Sequence, residues 1–207
     1  MASFKRSKHL VQIMRYDNIK VAGALLFVGT VQFILGFVVA EVLFPNYNVS
    51  KNFISDLGVG PTSLIFNSSV ILFGLSLVIS AYFIQRAFDS RLISALFTLA
   101  GLGAMGVGFF PETTGMMHVI SAFTAFSFGG LSAIVSYKIQ KPPLSYFSVL
   151  LGVLSLVALT IYGSGTFLGL GKGGMERMIV YPTLLWAVGF GGHLNGYSMD
   201  KVKIKKT

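Results

Sequence analysis

Polar side chains that could do chemistry are grouped in three places along an otherwise apolar sequence. The groups are Asn52, Ser55 and Asp56, then Glu112 and His118, and then Glu176 and Arg177. Asn67 and Ser68 stand near the start of an apolar run. Ionisable groups are costly at membrane depth, so each is a functional hypothesis whose partner has to be identified.

One interpretation of these residues is catalytic. The imidazole of His118 and the carboxylates of Asp56 and Glu112 could hold a divalent metal ion with open positions. The same groups could form a general acid–base pair acting on a lipid ester or amide near the outer membrane surface. Ser55 and Ser68 are the candidate nucleophiles for a serine hydrolase, but neither lies in a G-x-S-x-G motif.

Two further interpretations involve no reaction. In the structural one, Arg177 and Glu112 form a buried ion pair, and His118 hydrogen-bonds a loop carbonyl. For Arg177 the nearest candidate partners are Glu176, Glu112 and Asp56. In the other, the polar residues line a pocket for a lipid or another ligand. That binding set is Asn52, Ser55, Asp56, Asn67, Glu112, His118, Glu176 and Arg177.

The elements that must position these residues are apolar and long. The chain is 54% hydrophobic and only 11% charged, whereas a soluble protein has about 25% charged residues. A helix needs about 20 apolar residues to cross a bilayer. Six runs approach this length: 21–43, 63–84, 92–110, 116–137, 144–162 and 178–194. The sequence therefore predicts an all-α integral membrane bundle of six transmembrane helices, the first of them retained rather than cleaved as a signal peptide.

The positions of the basic residues predict the orientation. Four segments hold 13 of the 16 lysines and arginines: 1–20, 85–91, 138–142 and 198–207. By the positive-inside rule these segments are cytoplasmic, and the three polar groups face the other side. We expect a basic cytoplasmic N-terminal segment (1–20), a transmembrane domain (21–197) and a basic cytoplasmic tail (198–207). The net charge of +9 is thus a topology signal and an attraction for anionic lipid, and nucleic acid is not an expected partner.

Other classes are disfavoured. The absence of cysteine excludes disulfides and thiolate chemistry. A transporter would need ionisable residues at the membrane midplane or an inverted repeat, and neither is apparent. In the first outer loop, Asn48 begins an N-x-[ST] tripeptide and is a candidate glycosylation site.

Short motifs at the ends of the apolar runs carry a family resemblance. In order they are FISDLGVGP (53–61), FN (66–67), GVGFFPE (106–112), MH (117–118) and ERM with LLW (176–178 and 184–186). Their order resembles the six-helix membrane family called domain of unknown function 998, over about residues 44–192. This resemblance implies the fold and little about mechanism.

The first outer loop also resembles that of the DRAM/Frag/Sfk group of six-helix proteins, in which His118 would mark a later helix. The matching positions are Ile54, Ser55, Asp56, Gly58, Pro61 and Phe66. Members of that group are linked to autophagy and to remodelling of lipid-anchored proteins, so this resemblance implies a role involving lipid.

Taken together, the sequence favours a multi-pass protein of the cell membrane that binds a lipid or a protein partner in the bilayer, alone or within a membrane complex. The protein partner would be another membrane protein or a second copy of the chain. The alternatives are a membrane-embedded lipid-modifying hydrolase and, less favoured, a small transporter. The predicted site is the same under each interpretation.

Overall fold

The computed structural model describes residues 2–197, which form six α-helices and contain no β-strand. The helices are α1 (Ala2–Leu43), α2 (Ser63–Phe88), α3 (Arg91–Phe109), α4 (Met116–Val135), α5 (Leu144–Gly163) and α6 (Gly171–Asn195). The predicted all-α class is confirmed. The predicted basic tail, 198–207, lies outside the described residues.

Within residues 2–197, five stretches are long and apolar enough to cross a membrane. They are Gln12–Leu43, Gly60–Phe88, Arg91–Phe109, Met116–Ile139 and Leu144–Gly163. They make the chain a multi-pass membrane protein. Helix α6 is not among them, because its apolar part, from residue 178 onwards, also contains Tyr181, Pro182, His193 and Asn195, which lower its mean hydropathy.

The helices form a closed ring in chain order. Each helix packs against the next, and α6 returns to pack against α1. Helix α4 has little contact with α6 across the ring. The α1–α2, α3–α4 and α5–α6 connections therefore meet at one end of the bundle, and this end carries all three polar groups.

Two helices begin earlier than the hydrophobic runs predicted. Helix α1 includes the basic segment as far back as Ala2, because no glycine or proline interrupts residues 2–22. Helix α6 begins at Gly171 rather than at residue 178. Its glycine-rich start has low helix propensity, but it packs against the α1–α2 connection: a Cβ on Gly173 would be 1.9 Å from the Asn52 carbonyl oxygen.

Glycines let neighbouring helices approach closely. A Cβ on Gly74 of α2 would lie 2.5 Å from the carbonyl oxygen of Gly101 on α3, and a Cβ on Gly101 would lie 2.6 Å from that of Gly74. On α6, Gly191 packs against α1, whereas Gly189 and Gly192 have open space around them.

The α2–α3 contact gives a test of this packing. Replacing Gly74 by alanine should destabilise the protein by about 1–3 kcal/mol, because the added methyl group meets backbone that cannot move aside. Gly189→Ala is the matched control, since nothing lies within 4 Å of its added Cβ. Thermal unfolding in detergent measures both, and equal melting temperatures for the two variants would contradict the close α2–α3 contact.

Candidate functional site

The first outer loop, residues 44–62, folds back over the end of the bundle. Ile54 and Leu57 on this loop are 3% and 0% exposed. Two short 3-10 turns, Ser55–Gly58 and Gly60–Thr62, shape its second half. The loop is therefore a cap whose apolar side chains join the core.

The guanidinium of Arg177 holds this cap. Its Nη2 donates to the carboxylate of Glu41, at the outer end of α1, and to the Tyr47 hydroxyl oxygen at 2.7 Å. The predicted partners Glu176, Glu112 and Asp56 are wrong, and so is the predicted Arg177–Glu112 ion pair. Successive residues of a helix point about 100° apart, so Arg177 faces α1 and the loop while Glu176 faces elsewhere.

The other guanidinium nitrogen binds backbone. Nη1 of Arg177 donates to the carbonyl oxygens of Val49 at 3.0 Å, Asn52 at 3.3 Å and Gly173 at 2.9 Å. Buried carbonyl groups without a donor are costly. Arg177 therefore ties α1, the cap and α6 together, and its role is structural.

Glu176 faces the interior and binds the cap from its other side. Its carboxylate accepts a hydrogen bond from the Ile54 N–H group. Glu176 is 8% exposed and lines the two cavities described below.

Asp56 and Glu112 form a carboxyl pair between the cap and the α3–α4 connection. One Asp56 carboxylate oxygen accepts from Asn52 Nδ2 at 2.9 Å and from the Phe53 N–H group at 3.0 Å. The Glu112 carboxyl hydrogen-bonds the Asp56 carboxylate. The predicted group of Asn52, Ser55 and Asp56 thus meets the group containing Glu112.

The proton of this pair resides on Glu112. Partial burial, together with the hydrogen bond to Asp56 and its negative charge, raises the pKa of Glu112 to about 7. Burial also acts to raise the pKa of Asp56, but the hydrogen bonds from Glu112, Asn52 and Phe53 outweigh it and lower that pKa below its usual value. Below about pH 7 the pair therefore holds about one negative charge, and near pH 7 Glu112 is about half ionised.

His118 lies in the first turn of α4, and a backbone contact sets its tautomer. Its Nδ1 is 2.8 Å from the Phe110 carbonyl oxygen. A carbonyl oxygen can only accept, so Nδ1 carries a hydrogen and Nε2 has the lone pair when the ring is neutral. The predicted bond from His118 to a loop carbonyl is confirmed.

A groove of about 880 Å³ runs between α4 and α5 from this end of the bundle. Its outer part is lined by Ser55, Glu112, His118, Tyr162 and Glu176. Its deeper part is lined by apolar side chains of the two helices: Val119, Ala122, Phe123, Phe126, Leu156 and Leu159.

A smaller cavity of about 90 Å³ lies beside the groove, inside the ring. The two spaces share five lining residues: Ser55, His118, Ala122, Phe126 and Glu176. The cavity extends inwards between α4 and α6 as far as Ser132 and Trp186. Thus the polar end of the groove borders an apolar space within the bundle.

The predicted site residues separate into three sets. Ser55, Glu112, His118 and Glu176 line the groove, whereas Asn52 and Asp56 stand behind Glu112 and position it. Three others serve the structure or face away: Arg177, Asn67 and Ser68. The Asn67 amide donates to the Gly58 carbonyl oxygen at 3.0 Å, and the exposed Ser68 hydroxyl to that of Leu64 at 2.6 Å.

Sequence reasoning missed three contributors: Glu41, Tyr47 and Tyr162. Glu41 ends the first apolar run, so the rule that an acid near membrane depth needs a partner could have identified it. Tyr47 and Tyr162 gave no comparable signal, because tyrosine is common at membrane surfaces.

Two further hypotheses from the sequence concern a metal ion and a glycan. Within residues 2–197, no three histidine, aspartate or glutamate side chains are arranged to hold a metal ion, so His118, Glu112 and Asp56 do not converge as three ligands. Asn48 is exposed, and its side-chain oxygen accepts from the N–H groups of Ser50 and Lys51. Its glycosylation stays a prediction.

The role of Arg177 can be tested by truncation. Arg177→Ala should destabilise the protein by about 3–5 kcal/mol, because it leaves a buried carboxylate without its partner. Arg177→Ala combined with Glu41→Gln should recover part of this loss. Thermal unfolding in detergent measures both variants, and an unchanged melting temperature for Arg177→Ala would exclude the structural role.

The carboxyl pair predicts a pH effect on stability. Because the pKa of Glu112 in the folded protein is above its ordinary value of 4.5, the folded state loses stability as the pH rises from 4.5 to about 7. Glutamine keeps a donor towards Asp56 without titrating. At about pH 8 we expect Glu112→Gln to be more stable than the wild type by about 1 kcal/mol, a value reduced for solvent screening.

At about pH 3.5 this difference should vanish, because that pH is below both the ordinary pKa and the folded pKa of Glu112, which is then mostly protonated in both states. Asp89→Asn, which neutralises an acid at the opposite end of the bundle, is the control and should keep the wild-type pH dependence. Parallel melting curves for wild type and Glu112→Gln across this range would contradict the shared proton.

Comparison with known proteins adds one match. The family model described as protein of unknown function (DUF998) matches residues 27–193, from α1 to α6. No curated protein and no solved structure matches the sequence significantly. A link to the DRAM/Frag/Sfk group is not among these findings and stays a prediction. With its apolar helices and this match over most of its length, the chain belongs to the DUF998 family.

Proposed function

We propose that the protein spans the cell membrane six times, with both ends in the cytoplasm, and binds a membrane lipid in the groove between α4 and α5. The observation that carries the proposal is the groove itself, polar at the outer end and apolar below. A membrane lipid has the same division into headgroup and chain.

The position of α6 in the ring of helices supports the proposal that it is the sixth membrane span. Helix α6 has 25 residues, which corresponds to about 37 Å, enough for a hydrocarbon core of about 30 Å. It packs against α1 and α5, both of which are candidate spans. Its charged residues stand at the outer end, where Arg177 is paired and Lys172 is exposed.

The size and surroundings of the groove suit a lipid. A volume of about 880 Å³ falls in the usual range for ligand sites, about 300–1,000 Å³. Phe123, on the α4 wall, is 61% exposed. Helix α4 is among the least buried of the spans. A groove between two spans, with a wall residue exposed on the bundle surface, gives a lipid a route from the bilayer.

The division of the polar residues favours binding over a purely structural cluster. Arg177 bonds to Glu41, Tyr47 and the cap through both terminal nitrogens, and only its Nε has no hydrogen-bond partner among the described residues. In contrast, Glu112, His118 and Glu176 line open space. Polar residues with a purely structural role are expected to pack against their partners rather than to line a groove of about 880 Å³.

A lipid-modifying hydrolase is the second candidate, and the tautomer of His118 favours it. With Nδ1 donating to Phe110, Nε2 is available as a general base. The Ser55 side chain lines the same two cavities. The hydrolase would lose turnover but keep lipid in a His118→Gln variant, whereas a binding protein has no turnover to lose.

Lipid retention after purification tests the binding proposal. The wild type should carry lipid through detergent purification, detected by native mass spectrometry and by analysis of extracted lipid. Ala122→Trp fills the space shared by both cavities and should lower the bound lipid at least tenfold.

Ala24→Trp is the matched control. It makes the same change at an exposed position of α1 away from the groove and should retain lipid. Both variants should elute as folded protein in size-exclusion chromatography. Undiminished lipid on folded Ala122→Trp would show that the groove is not the site.

A further inference from the structure

The outer part of the groove has an acidic surface. Glu112 and Glu176 line it, with Asp56 behind Glu112, and no lysine or arginine is among its described lining residues. Two cations lie nearby and offset part of this charge. Arg177 is paired with Glu41 and bonds to the cap, and its charge also acts on Glu176. Lys172 has its ammonium 4.3 Å from the centre of the Phe53 ring, and its charge acts on Asp56 and Glu112.

The same surface offers hydrogen-bond acceptors. A carboxylate such as Glu176 has capacity beyond the single N–H group of Ile54 that it accepts. His118 has its Nε2 lone pair, because Nδ1 is committed to Phe110. A ligand that satisfies these groups has to bring N–H or O–H donors.

The groove also has aromatic rings in its lining. Phe53 and Tyr162 line the groove and meet edge to face with their centroids 6.2 Å apart. Ring faces attract cations, and the ammonium of Lys172 already lies over Phe53. Carboxylates together with aromatic rings form a suitable environment for an organic ammonium group.

We propose that the lipid bound in this groove has a primary ammonium group in its headgroup. This inference rests on the proposed lipid-binding function and specifies the class of lipid. A quaternary ammonium has the charge but no N–H, so it leaves the buried acceptors without donors, which is costly. An acidic headgroup without an amine would meet like charge.

Two kinds of lipid present a primary ammonium: a simple long-chain amine and a lipid with a phosphoethanolamine headgroup. The experiment therefore uses two matched pairs that differ in N-methylation. The first pair is dodecylamine and dodecyltrimethylammonium. The second is lysophosphatidylethanolamine and lysophosphatidylcholine of equal chain length. Binding to the full chain in neutral detergent is measured at about pH 8, where Glu112 is mostly ionised, by thermal shift and by displacement of retained lipid.

We expect the primary amine of at least one pair to bind at least tenfold more tightly than its methylated partner. The pair that shows the preference identifies the source of the amine. Glu176→Gln and Glu112→Gln should each reduce that preference at least fivefold, and Asp89→Asn, at the far end of the bundle, should leave it unchanged. If Glu176→Gln fails to fold, Glu112→Gln and the wild-type preference still decide the result.

The outcomes separate this inference from the function on which it rests. If both members of each pair bind the wild type equally, and this binding is lost in Ala122→Trp, the amine inference is overturned while the groove remains a lipid site. A preference that survives both glutamine variants would also overturn it, because the acids would not be the recognising groups. Failure of all four probes to bind, with lipid retained by Ala122→Trp, would overturn both.

Discussion

The arrangement of the outer end depends on one guanidinium group. Arg177 bonds to Glu41 on α1, to Tyr47 and two carbonyl groups in the cap, and to α6 itself. A loop buried against a membrane bundle would otherwise leave carbonyl groups without donors. With these groups satisfied, the cap can lie over the bundle and direct Ser55 towards its interior.

The adjacent residues Glu176 and Arg177 contact different parts of the protein, because successive side chains of a helix point in different directions. Arg177 is paired with Glu41 on the side of α1, and it acts on the groove acid Glu176 through its charge alone, without a hydrogen bond between the two. Glu176, about 100° around the helix, faces the interior and lines the groove. Glu176 and Arg177 are adjacent in the sequence and could pair with each other. In the structure, Arg177 makes a structural contact with Glu41, whereas Glu176 lines the candidate binding surface.

The open space arises from the ring and from small side chains on α4. Ala122, Ala125 and Gly129 line the interior cavity at helical spacing. A Cβ added to Gly129 would meet only the Thr183 methyl group, at 3.8 Å. Since α4 scarcely touches α6, nothing fills the gap, and the polar outer residues border a cavity rather than a packed core.

Local hydrophobicity determined the positions of most of the helices in this protein. Helices α2 to α5 begin within one residue of their predicted starts, because each is an apolar run bounded by polar or proline-containing links. The closure of neighbouring helices into a ring brings the three polar groups to one end, as the alternation of loops predicted. Only tertiary structure decided the partner of Arg177, the structural role of Asn67 and the start of α6 at Gly171. These depend on directions around helix axes and on contacts between residues more than a hundred positions apart, such as Arg177 with Glu41, which hydropathy and spacing do not encode.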